Sequence, residues 1–234
     1  QGLAGAVVGM GNTGACVGAA TLGLGVLEGV RRPGIAVTMD LVGRPLTIID
    51  MGANAVPKPE HLLQYGQMGS IYARNVLGQE QVRVGLLNIG EEEGKGTDLT
   101  KAAFDLLAAS GLSFVGNVEP KEMLAGKADL IVTDGFTGNV VLKLMESLAS
   151  VLMGLFAREL EAHRAPFAKQ ALGSLAKRLD YSEYGGALLL GVGGIVVIGH
   201  GRSDANAVAN ACVVAARALA SGVNRQIVSG LRVG

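Results

Sequence analysis

Neither sign of charge is in excess in this chain: 20 Lys and Arg face 20 Asp and Glu over 234 residues. Binding to a phosphate backbone needs a basic surplus, so nucleic acid is excluded as the main partner. Only two cysteines occur, Cys16 and Cys212, far apart and in no CxxC or metal-ligand pattern. They read as two reduced thiols in a reducing compartment. There is no HExxH and no Ser-His-Asp spacing, and no GxGxxG follows a strand with an acidic residue about 20 positions on; zinc, hydrolase and dinucleotide readings lose their support. A membrane span at the start of the chain has little support either. The first 27 residues carry no charge, but Gly9-Met10-Gly11-Asn12-Thr13-Gly14 breaks them, and no basic segment precedes them as in a signal peptide. There is also no initiator Met, and an apolar strand begins almost at residue 1, so the expectation is a chain lacking its first strands.

What is abundant is glycine, 36 residues without a G-X-Y period. The glycines fall at the ends of apolar runs, where tight turns and close approach to a ligand need them. Apolar runs of strand length alternate with helix-length segments, predicting strands at 4–10, 35–39, 46–50, 83–89, 112–115, 130–133 and 194–198. Helices are predicted at 14–28, 60–77, 99–110, 120–125, 139–161, 166–179 and 204–221. Continuously apolar strands such as Val84-Gly85-Leu86-Leu87 imply burial on both faces, hence a largely parallel or mixed sheet between helical layers: a three-layer α/β sandwich. One domain is expected over 1–234, with a protruding helical hairpin at about 144–179.

In such folds ligands gather at the carboxyl ends of strands, and five polar clusters fall there, which predicts one shared pocket. Gly11-Asn12-Thr13-Gly14 offers helix N-terminal amides and a hydroxyl to an anion, or is a plain capped turn. Asp50 and Asn54 follow another strand. Glu91-Glu92-Glu93-Gly94-Lys95-Gly96 sets one lysine among glycines, a cation for phosphate or an oxyanion, or a solvated charged loop. It lacks Walker A spacing. Asp134-Gly135-Phe136-Thr137-Gly138-Asn139 holds a base, an orienting carboxylate or a turn former. His61 opens a helix as an acid-base candidate or a structural histidine. Tyr184 lies in a Tyr/Gly turn that lines a pocket or caps the hairpin, and His200 ends the last strand.

In order along the chain, these segments resemble the phosphate acyltransferase family of bacterial phospholipid synthesis. The resemblance rests on Gly11-Asn12-Thr13-Gly14-Ala15, Asp50-Met51-Gly52-Ala53-Asn54, Lys58-Pro59-Glu60-His61-Leu62, Val84 to Gly96, Gly116-Asn117-Val118-Glu119, Asp134 to Lys143, Asp180 to Ala187, and His200-Gly201 with Ser203-Asp204. It implies transfer of a long-chain acyl group from acyl carrier protein to inorganic phosphate, without cofactor or metal. It also implies a fold like the isocitrate and isopropylmalate dehydrogenases, a homodimer, and a cytoplasmic enzyme peripheral to the membrane. The chain departs from the family in lacking an initial Asp-Ala-Met-Gly-Gly-Asp segment, in placing Gly9-Met10 where Ser-Ala is usual, and in having Arg202 where a small serine is common. A short-chain phosphotransacylase using acyl-CoA and a non-catalytic membrane-peripheral organiser are the alternatives.

On this reading a bound phosphate oxygen attacks the thioester directly. Lys95 takes the phosphate or oxyanion, Asn12, Thr13 and Gly14 supply donors, and Asp134 and Asn139 position them. His61 handles a proton, while Asp50, Asn54, Glu93, Gly94, Gly96, Gly135, Tyr184 and His200 line the substrate. Leu152, Met153, Leu155 and Phe156 beside Arg158 and Arg164 suit the hairpin to a dimer, a membrane surface or an acidic carrier protein.

Overall fold

Eight apolar runs become strands in the computed structural model, which describes residues 4–40, 43–162, 173, 186–201 and 203–231. They are β1 (Ala6–Met10), β2 (Gly34–Asp40), β3 (Pro45–Ile49), β4 (Val84–Leu87), β5 (Phe114–Val118), β6 (Leu130–Val132), β7 (Ala187–Leu190) and β8 (Ile195–Gly199). Their order in one sheet is β1-β8-β7-β2-β3-β6-β4-β5. Strands β3, β6, β4 and β5 run parallel to one another. Strand β2 is antiparallel to both β3 and β7, β7 is antiparallel to β8, and β1 is parallel to β8. The sheet is therefore mixed, with a consequence for the expected pocket: the carboxyl ends of β3, β4, β5 and β6 share one end of the sheet, and those of β1 and β8 point to the other.

Seven helices occur among the described residues: α1 (Thr13–Leu24), α2 (Pro59–Asn75), α3 (Asp98–Ala108), α4 (Pro120–Leu124), α5 (Gly135–Ala162), α6 (Ala205–Ser221) and α7 (Val223–Leu231). Leu62, Tyr65 and Met68 of α2, Leu107 of α3, Ala215 of α6 and Ile227 of α7 join one buried cluster with Ile49, Leu86 and Val132. Ala20 of α1, Met123 of α4, and Val141, Leu142 and Met145 of α5 join another cluster with Val37, Ile48 and Val196. Alternate residues of β3 thus feed opposite clusters, as the pleat dictates, and helices cover both faces. Each large side chain buried in either cluster contributes about 1.5–3 kcal/mol. The packing leaves no room at Gly85 of β4, where a Cβ would overlap Val118.

Two elements were not predicted. Strand β7 is only four residues, Ala187 and three leucines, residue types with little strand signal of their own. Helix α7 carries Val223, Ile227 and Leu231 at helical spacing among polar residues, directly after α6; Gly222 with φ 64 makes the break between them. Helix α5 starts at Gly135 rather than at 139. The expected second arm of the hairpin, 166–179, lies outside the described residues apart from Gly173.

Candidate functional site

Asp50 is fully buried, and its carboxylate accepts four backbone N–H groups: Ile35 (3.0 Å), Gly52 (3.0 Å), Ala53 (2.9 Å) and Asn54 (2.7 Å). Burial pushes its pKa up and these donors pull it back. Donors alone surround it, which is the environment of an acceptor and not of a proton-transfer group. The Asn54 amide is likewise occupied, donating to the Pro33 carbonyl (2.7 Å) and to the Tyr65 hydroxyl (2.6 Å). Against this turn packs the start of α5. The Gly135 N–H donates to the Asn54 carbonyl at 2.8 Å. A Cβ on Gly135 would come within 2.6 Å of that carbonyl oxygen, and one on Gly138 would overlap the Asp50 carbonyl. Asp134 caps α5, its two oxygens accepting the Thr137 N–H (2.8 Å) and hydroxyl (2.7 Å). The motifs 50–54 and 134–139 are thus two halves of one interlock that fixes where α5 begins.

From that interlock α5 crosses the sheet, and beneath it runs a groove with a cavity of about 90 Å³. Ile35, Val37 and Ile198 form its floor; Thr13, Asn139 and His200 line it, together with Lys143 and Glu146, which the sequence reading did not select. Their signal was present: Asn139, Lys143 and Glu146 stand at i, i+4 and i+7, one face of a helix. The groove joins the two ends of the sheet, so Thr13 and His200, at the ends of the neighbouring strands β1 and β8, line the same cavity as Asn139 although their strands point away from β6. Asn12 caps α1, its side chain accepting the Ala15 N–H at 2.9 Å, and Gly14 follows in the exposed first turn of that helix.

The loop after β4 stands apart from this groove, since β4 is two strands from β3, about 10 Å across the sheet. It is wired from both sides. Asn88 donates its amide to the Lys95 carbonyl (3.1 Å), and Asn117 donates to the Glu92 carbonyl (2.8 Å). Gly96 has φ 92, and a Cβ there would overlap the Asn88 and Thr100 side chains. Glu93 and Gly94 are exposed. Lys95 is 51% exposed, and its Nζ lies 4.0 Å from Glu92. Asn88 directly follows the apolar strand β4 and Asn117 is a buried amide inside β5, polar positions within apolar runs that would have marked them as loop anchors.

His61 lies on α2, the face opposite α5. Its Nδ1 accepts the Lys58 N–H at 3.0 Å. Burial first, then Arg32, Arg31 and Lys58, hold its pKa below the usual 6.5. A neutral histidine capping its own helix is what these contacts require. Tyr184 and Arg202 lie outside the described residues. Among the described residues no group of three His, Cys, Asp or Glu side chains is arranged to hold a metal ion.

Comparison with known proteins adds a family to this geometry. The family described as "Fatty acid synthesis protein" matches residues 1–226. The "Phosphate acyltransferase" of Dehalococcoides mccartyi is 45% identical over 240 residues, covering 99% of this chain and 69% of its own length. The protein of that name from Heliobacterium modesticaldum is 48% identical over 220 residues, covering 92% of this chain and 66% of its own. The chain thus spans about two thirds of the length of these relatives. Among solved structures, the EutD phosphotransacetylase from Staphylococcus aureus shares the fold with a TM-score of 0.60 at 15% identity, over 93% of this chain and 64% of the other.

Proposed function

The chain belongs to the fatty acid synthesis protein family whose curated members are named phosphate acyltransferases, and we propose that it serves to move a long-chain acyl group from acyl carrier protein to inorganic phosphate. The family match over residues 1–226 is the observation that carries this reading. Phosphate is already anionic, so no covalent enzyme intermediate is required: its oxygen attacks the thioester carbon, the C–S bond breaks, and the carrier thiol leaves with a proton. Positioning and oxyanion stabilisation are then the work of the protein.

The groove supplies hydroxyl, amide and ammonium donors at Thr13, Asn139 and Lys143, and Lys95 supplies a second cation at the carboxyl end of β4. Asp50, Asn54, Asp134, Gly135 and Gly138 act through the interlock that holds Asn139 and Lys143 in place. Helix α5 is long and apolar enough to cross a membrane, but Val141, Leu142 and Met145 pack on the core. We assign its exposed Phe136, Val140, Leu144 and Leu148 to a second copy of the chain, and its distal Leu155 and Phe156 to peripheral contact with the cytoplasmic side of a membrane.

The direct test is release of free thiol from palmitoyl-acyl carrier protein by the full-length enzyme, with and without phosphate. Phosphate-dependent release is expected. No release from a folded protein, or release indifferent to phosphate, would remove the assignment, and release only from palmitoyl-CoA would reassign the donor.

A further inference from the structure

Three carboxylates precede the lysine that would meet a phosphate dianion, and unscreened they would repel it. The fold deals with one of them. Lys127, in the turn between α4 and β6, places its Nζ 3.3 Å from Glu91 Oε2, 2.8 Å from Glu122 Oε1 and 3.4 Å from the Asn117 carbonyl. It therefore draws the Glu91 carboxylate toward α4. Asn117, whose carbonyl Lys127 also holds, anchors the same loop through the Glu92 carbonyl at 2.8 Å. The Glu92 carboxylate lies 4.0 Å from the Lys95 Nζ, too far for a hydrogen-bonded pair. Hydrogen bonding to Glu122, with Glu91 adding to it, raises the Lys127 pKa and keeps the side chain charged.

We propose that Lys127 is a positioning residue for phosphate: by binding Glu91 and the Asn117 carbonyl it fixes the 88–96 loop and holds a carboxylate away from Lys95, leaving that ammonium free for the anion. This rests on the reading in which Lys95 meets phosphate. A half-exposed ion pair that served stability alone would contribute little and would not discriminate between substrates. The two roles are therefore separable.

The test measures inorganic phosphate binding by the full-length protein, by titration calorimetry, alongside KM for phosphate and for palmitoyl-acyl carrier protein. Lys127→Met should weaken phosphate binding and raise its KM about tenfold, equivalent to about 1.4 kcal/mol, with KM for the thioester within twofold of wild type. Lys127→Arg should recover most of the loss. Adding Glu91→Gln to Lys127→Met should also recover it, because the charge that Lys127 restrained is then gone. Phosphate binding unchanged in Lys127→Met, or a double variant as weak as the single one, overturns the proposal, as does a wild-type protein that binds no phosphate. Phosphate binding that responds as expected in a protein releasing no thiol would uphold the role of Lys127 and reject the acyltransferase reaction instead.

Discussion

Asp129 is 6% exposed, and it keeps its charge because Arg83 grips it. The guanidinium donates Nε and Nη2 to the two carboxylate oxygens at 2.9 and 2.8 Å, and the Arg83 backbone N–H adds a third bond at 3.0 Å. Burial alone would raise the Asp129 pKa; the Arg83 side chain and backbone more than offset it and hold it below the usual 3.8. A carboxylate with a depressed folded pKa stabilises the fold above its unfolded value and loses that contribution as pH falls through the folded one. Arg83→Met leaves a buried charge with the residue 83 backbone N–H and, as its cation, the more distant Arg44 at 3.8 Å, and should cost about 2 kcal/mol at pH 7. The difference between variant and wild type should shrink as pH falls from about 3.8 through the lower folded pKa, where the wild-type carboxylate also protonates. Urea unfolding at pH 7 and near pH 3 checks this. A difference that grows on acidification would mean that the pair is not what stabilises this corner.

At the scale of elements, the decisive contact is between two turns. Gly138 touches the Asp50 carbonyl so closely that no side chain fits, whereas Gly154, in the same helix, has nothing within 4 Å of its would-be Cβ. Gly138→Ala should therefore lower stability by about 3 kcal/mol or more, roughly 6–12 °C in melting temperature. Gly154→Ala should be neutral or raise stability by up to about 1 kcal/mol through helix propensity. Thermal unfolding of the two variants side by side separates packing from propensity; equal effects would show that the interlock does not constrain α5. The sequence made both motifs visible but not their relation. Glycines and an aspartate after a strand read equally as a ligand loop or a turn, and the choice depends on which backbone lies across from them. Strands β2, β3, β4 and β6 were legible because β-branched and leucine-rich runs end in glycine, proline or aspartate. Strand β7 and helix α7 were not, being short and bounded by other elements. Sheet direction was also hidden, since apolar composition marks burial without marking orientation.

Strand order matters most for the whole molecule. Because β4 lies two strands from β3, the polar residues expected in one pocket divide into a groove under α5 and a loop beyond β4. Phosphate and thioester must approach to about 3–3.5 Å to react, so one of the two lysines stands nearer the reacting atoms. Lys95 has the flexible glycine setting of an anion site and a neighbouring carboxylate, Glu91, drawn away by Lys127; Lys143 lines the groove together with Glu146. Lys95→Ala should therefore lower kcat by about 10²-fold or more, the effect of removing a transition-state donor. Lys143→Ala should act on KM for the acyl donor, by about tenfold or less, with kcat nearly unchanged. Steady-state kinetics of both variants, with phosphate and acyl carrier protein varied in turn, read the difference. The reverse pattern would move the chemistry into the groove, where Thr13, Asn139 and His200 would surround the reacting carbonyl and the 88–96 loop would serve only to admit the carrier.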